Sequence, residues 1–160
     1  MLEIMKVEDF FNLFMEELRV NNKLTSYYKF LQDKNRFLFR KAYFCQRLEF
    51  IYSQIAKTPI EVSQEILDVG CGYGTTALFL AMNGYRVKGL TLEFYDEVIP
   101  ERIKFWDKYG DASLFSWSYQ NIYDEPPEKN KYYNIIAQDT LHHLEPCIDA
   151  IKIIERSLKD

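Results

Sequence analysis

The sequence predicts an α/β protein: an open parallel sheet of about four strands flanked by helices, behind an N-terminal helical cap. Three observations carry this. Apolar residues recur at helical spacing through the first sixty residues. From Glu65 the pattern changes to short apolar runs, each followed by a turn and a helical stretch. One of those runs enters a turn holding Gly70, Gly72 and Gly74. Strands alternating with helices imply parallel pairing with right-handed crossovers.

In chain order, Phe10, Phe11, Phe14, Met15 and Leu18 give a first helix one apolar face, and Asn21 and Asn22 end it. Thr25 or Ser26 is expected to cap a second helix. That helix runs through Tyr28, Leu31, Phe37, Leu48 and Ile55 to about Lys57, with a break near residues 33–35. Pro59 closes the helical region. Ile66, Leu67, Asp68 and Val69 then read as a buried strand entering a tight turn. A helix follows over residues 75–82, stopped by Asn83 and Gly84. Residues 85–92 form the second strand, with Glu93 at its end, and Pro100 opens a helix running to about Tyr109. Residues 112–117 and 133–138 are the third and fourth strands, separated by an acidic, proline-containing loop. The last helix, 146–158, is expected to turn Ile148, Ile151, Ile154 and Leu158 inward. Two regions result: a cap over 1–60 and a sheet core over 61–160.

Composition narrows the function classes. With 48% apolar and 28% charged residues the chain is an ordinary globular sequence. Residues 1–60 carry ten Lys and Arg against seven acids, and residues 61–160 ten against seventeen. An acidic sheet region argues against a nucleic-acid substrate, because phosphate contacts need clustered cations. Cys45, Cys71 and Cys147 are odd in number and form no CxxC pair, which predicts reduced thiols rather than disulfides or zinc. No apolar run reaches the roughly 18 residues that span a bilayer. The N-terminus lacks the pattern of a signal peptide. A cytoplasmic protein is expected.

The chemistry concentrates at Asp68, Gly70, Gly72 and Gly74, directly after a strand and opening a helix. So tight a turn demands positive φ and close backbone approach to a ligand, which glycine permits. The helix behind it offers free N–H groups and a positive dipole end to a carboxylate. Glu93, nineteen residues after Gly74, is placed to accept hydrogen bonds from ribose hydroxyls. A dinucleotide fingerprint has its third glycine at the position of Thr75; here it comes one residue earlier.

The stretch from Ile66 to Thr75 resembles the first motif of class I, Rossmann-like S-adenosylmethionine-dependent methyltransferases. The resemblance implies that Gly70, Cys71, Gly72, Tyr73 and Gly74 lie along the methionine part of S-adenosylmethionine or S-adenosylhomocysteine, with Asp68 near its amino group. Glu93 then matches the ribose-binding acid, and Phe94 the residue packed on adenine. Asn121 and Ile122 fall where the family contacts the adenine amino group, with Asn121 or Gln120 in place of the usual acid. Tyr133 and Asn134 resemble the start of the fourth strand, with Asn134 replacing Asp. Gln138 and Asp139 then stand beside the sulfonium.

His142 and His143 are the candidates for a general base, since imidazole titrates near neutral pH; alternatively one packs and the other caps the turn. Adjacent histidines point apart and no third ligand is evident, so no metal is expected. Tyr27 and Tyr28 line a pocket if the cap folds over the sheet edge. The expected function is methyl transfer to a small molecule. The alternatives are a non-catalytic S-adenosylmethionine-binding module or inactive piece, and a nicotinamide-dependent oxidoreductase, which the glycine spacing disfavours. The resemblance covers residues 62–158, and the family's strands five to seven are expected either on a longer form of this chain or on another chain. An unpaired strand edge is then expected to promote self-association.

Overall fold

A computed structural model describes residues 4–91 and 97–160. Helix α1 (Val7–Val20) carries Glu8 and Asp9 in its first turn, where acidic groups favour the dipole, and buries Phe10, Phe11, Phe14 and Leu18. Asn21 ends it and starts α2 (Asn22–Tyr27): its side-chain oxygen accepts from the Leu24 amide at 3.0 Å. Thr25 and Ser26 are therefore not caps. Inside the helix their hydroxyls donate back to the carbonyls of Asn21 and Asn22. A 3-10 turn at Lys29–Gln32 follows, the expected break falls at residues 33–36, and α3 (Phe37–Ile55) completes the cap. Pro59 does not merely stop the helical region; it caps one more short helix, α4 (Ile60–Ser63).

Four parallel strands follow, β1 (Ile66–Val69), β2 (Val87–Thr91), β3 (Phe115–Tyr119) and β4 (Ile135–Ile136), in the order β3-β2-β1-β4. Asp68 stands opposite Gly89 on one side and Ile136 on the other. Successive β1 residues face opposite ways. Ile66 joins Val87, Phe115 and Ile136 in a core with α1, α3, α5 (Thr75–Met82) and α6 (Ile99–Trp106). Leu67 and Val69 join Leu90, Ile122, Tyr132 and Ala150 beneath α7 (Cys147–Ser157). Helices thus cover both faces, as parallel strands require. α5 is buried almost all round, which is why Ala77 to Met82 are all apolar. The cap shares the first core: Phe10 stacks on Trp106 at 4.4 Å and meets Phe79 edge-on at 5.1 Å.

Three expectations shift. Residues Ala112–Leu114 form a 3-10 turn because the Asp111 side chain accepts from the Ser113 amide, so β3 starts at Phe115. β4 is shorter than expected: only Ile135 and Ile136 pair with β1, while Tyr132 before them bridges to Leu158 and Asp139 after them has a φ of +51°. In α7 it is Ala150 and Ser157 that are buried, while Ile148 is 68% and Ile151 48% exposed and Leu158 is exposed too. The small Ala150 side chain lets the helix approach Tyr132 and Leu67, and that choice rotates Ile148 and Ile151 outward. No helix among the described residues is long and apolar enough to cross a membrane.

Candidate active site

From β1 the chain steps outward through β2 to β3, then returns to the other side of β1 as β4. Ligands of open α/β sheets bind at such a reversal, outside the carboxyl ends of the strands. The glycine turn leaves β1 at that point, and Gln138, Asp139 and Thr140 leave β4 beside it.

Gly70, Gly72 and Gly74 have φ of +72°, +55° and +78°. Their surroundings differ. A Cβ on Gly70 would stand 1.8 Å from Thr140 Oγ1, and one on Gly74 2.4 Å from the Phe115 ring. A Cβ on Gly72 would meet nothing within 4 Å. Two of the glycines therefore serve close packing, and the middle one presents bare backbone to open space. The turn is held by Cys71 N–H donating to the Leu90 carbonyl at 2.9 Å and Thr91 Oγ1 donating to the Gly72 carbonyl at 3.1 Å. Gly74 N–H closes it on the Cys71 carbonyl and starts α5.

Asp68 is buried at the foot of this turn, and loss of water alone pushes its carboxyl up to about 7. Among the described residues no hydrogen bond satisfies that carboxylate, so a ligand cation would find it uncompensated. Cys71 fills the gap beside Gly89, and burial, with the Asp68 charge, pushes its thiol well above the usual range. It is no nucleophile. The Tyr73 ring packs edge-on against Tyr27 at 4.6 Å, so α2 brings the cap over the turn. Tyr28 points instead to Thr75, sharing a 2.8 Å hydrogen bond between hydroxyls.

On the β4 side, Gln138 Nε2 faces Thr76 Oγ1 at 2.9 Å while its oxygen accepts from Arg47 Nε at 2.7 Å. Arg47 also pairs with Asp139 and lies over the Tyr43 ring. A groove of about 410 Å³ opens here between α3 and β4, lined by Tyr43, Arg47, Phe50 and Ile136 among others. His142 and His143 are exposed on a 3-10 turn, with ring centroids 3.8 Å apart. Among the described residues neither ring is oriented by a hydrogen bond, and no group of three or more His, Cys, Asp or Glu is placed to hold a metal.

Asn121 uses its side chain locally: its oxygen accepts from the Tyr123 amide at 3.0 Å and its nitrogen donates to Asp124 at 2.9 Å. Gln120 donates to the Glu125 carbonyl. Ile122 is buried in the core beneath the sheet. Glu93 and Phe94 lie outside the described residues. The residues that sequence reasoning did not find are Thr140, Thr91, Arg47 and a buried pair, Glu17 and Arg102. Only the pair left a local trace, as charges set among the apolar positions of α1 and α6.

The family model of the methyltransferase domain matches residues 35–160, most of the chain. The chain belongs to that family. This methyltransferase domain has the class I fold. It is similar to a Galdieria sulphuraria protein assigned as a sarcosine dimethylglycine methyltransferase, with 26% identity and a TM-score of 0.62 over 72% of this chain and 44% of that one. It is also similar to phosphoethanolamine N-methyltransferase 2 of Haemonchus contortus, solved with phosphomonomethylethanolamine and S-adenosylhomocysteine. That likeness has 24% identity and a TM-score of 0.59, over 71% and 26% of the two chains. A third structure is a Methanococcus maripaludis protein assigned as an S-adenosyl-L-methionine-dependent methyltransferase, with 17% identity and a TM-score of 0.58 over 71% and 49%. The domain spans less than half the length of each of these chains. No curated protein matches the sequence.

Proposed function

We propose that this methyltransferase domain binds S-adenosylmethionine at the glycine turn and transfers its methyl group to a small-molecule acceptor. The observation that carries the reading is Gly72: positive-φ backbone facing open space at the sheet's reversal, beside a buried carboxylate with no hydrogen bond among the described residues. That arrangement fits a ligand carrying an ammonium and a carboxylate. Two similar proteins, assigned as a sarcosine dimethylglycine and a phosphoethanolamine methyltransferase, favour a small acceptor.

In this reading S-adenosylmethionine supplies an electrophilic methyl group. The protein's share is positioning and exclusion of water. Asp68 holds the ammonium, and the backbone of 70–74 with the amino end of α5 faces the carboxylate. Glu93 accepts from the ribose hydroxyls and Phe94 packs on the base, with Asn121 or Gln120 at the base edge once its turn contacts are exchanged. Ile122 supports that loop from below. Gln138, locked by Thr76 and Arg47, fixes the edge where the acceptor approaches. In this reading His142 or His143, on the turn that follows Thr140, takes a proton from the acceptor. Substituting both with Asn should then lower kcat by roughly 100-fold or more while leaving S-adenosylhomocysteine affinity unchanged.

The test is calorimetric titration with S-adenosylmethionine and S-adenosylhomocysteine, beside Glu93→Ala. Losing a charge-assisted hydrogen-bonding group should weaken binding by about 1.5–3 kcal/mol. Saturable binding that ignores this change would sink the ribose assignment. Binding without methyl transfer to any of a panel of small amines, acids and thiols by the full-length protein would favour a non-catalytic module.

A further inference from the structure

Arg102 of α6 has its guanidinium fully buried. Its Nε and Nη2 donate to the two carboxylate oxygens of Glu17 at 2.8 and 2.7 Å. Trp106 Nε1 donates to Glu17 Oε2 at 2.9 Å, and the Phe14 ring lies 5.5 Å beneath the guanidinium. These contacts alone would make a satisfied structural pair between α1 and α6. The third nitrogen goes elsewhere. Nη1 donates to the Tyr73 carbonyl at 2.8 Å and to Thr75 Oγ1 at 2.7 Å, the residues on either side of Gly74. Thr75 is held in turn by Tyr28, the residue that ends α2.

Buried ion pairs seldom add stability over a well-packed apolar pair, because desolvating both charges is costly. What an apolar pair could not do is grip a backbone carbonyl in a glycine turn, whose flexibility is otherwise large. The grip also requires α1 to be seated, since without Glu17 the guanidinium would be a buried uncompensated charge.

We propose that Arg102, oriented by Glu17, is a positioning residue that fixes the glycine turn in its ligand-ready shape and makes that shape depend on the docked N-terminal cap. This rests on the cofactor reading above for its consequence, though not for its geometry. Two variants test it: Arg102→Lys, which keeps the charge for Glu17 but cannot supply the forked grip, and the paired Glu17→Leu/Arg102→Met, which replaces the ion pair by packing. The first readout needs no ligand. Hydrogen exchange at the Cys71, Gly74 and Leu78 amides, all hydrogen-bonded in the turn or first helical turn, should quicken at least tenfold in both variants, beyond any change in the central sheet. The second is the affinity for S-adenosylhomocysteine, expected to fall at least tenfold in both even where the paired variant melts near the parent chain. Turn exchange no faster than that of the sheet would overturn the proposal, as would a paired variant that restores affinity together with stability. Failure of the parent chain to bind while exchange responds as expected would instead remove the cofactor reading and leave the positioning role standing.

Discussion

Asp68 shows how one side chain couples folding to ligand. Burial raises its carboxyl from an ordinary 3.8 to about 7, so between those values the folded chain keeps a proton that the unfolded chain has released. Stability therefore falls as pH rises through that window, by up to about 1.4 kcal/mol per pH unit, and levels off above it. Asp68→Asn should remove the slope and be more stable than the parent in urea at pH 8. A bound ammonium pulls the other way by favouring the carboxylate. Affinity for S-adenosylhomocysteine should rise with pH to about 7, with a proton released to buffer, and Asp68→Asn should lose both effects. A flat binding profile in the parent would refute this. The glycines separate stability from binding in the same manner. Gly72→Ala has room for its methyl and should cost only the left-handed penalty of about 1–2 kcal/mol while abolishing ligand binding. Gly74→Ala drives a Cβ into Phe115 and should cost roughly 3 kcal/mol or more. Equal melting losses in the two variants would contradict this account.

At the scale of elements, α1 is not an appendage. Phe10 is fully buried between Trp106 of α6 and Phe79 of α5, so Phe10→Ala should lose about 3–5 kcal/mol. Because cap and sheet share that core, denaturation followed by tryptophan fluorescence and by far-UV dichroism should give one coincident transition. Two resolved transitions would mean that the cap folds separately. The apolar faces of α1 and α5 were readable from spacing alone, since everything they bury against lies on one side or all round. α7 was not. Its isoleucines offer two overlapping faces, and the close fit of Ala150 against Tyr132 chose between them.

For the whole molecule, β4 is an edge strand among the described residues, paired only with β1. Beside it stands the groove whose wall includes the exposed Phe50 and Tyr43 of α3. An open edge with apolar surface beside it invites strand addition. Sedimentation velocity should show a weight-average coefficient that rises with concentration, and Phe50→Lys should suppress the rise. A concentration-independent monomer would count against this reading.

The sequence by itself determined the alternation of strand and helix, the strand β1, the glycine turn and the helix α5 behind it. Those features are local: hydrophobic period, positive φ and a cap are written within a few residues of one another. Only the tertiary structure decided which glycine faces open space, that Thr140 fills the place of a Gly70 side chain, and that Gln120 and Asn121 are bound into their own turn. It alone joined Glu17 to Arg102 across 85 residues of chain. Glu17 is a charge on the apolar face of α1, and nothing local names its partner. A buried charge is tolerated only where the fold brings an opposite one within hydrogen-bonding reach, and that is a property of packing between elements.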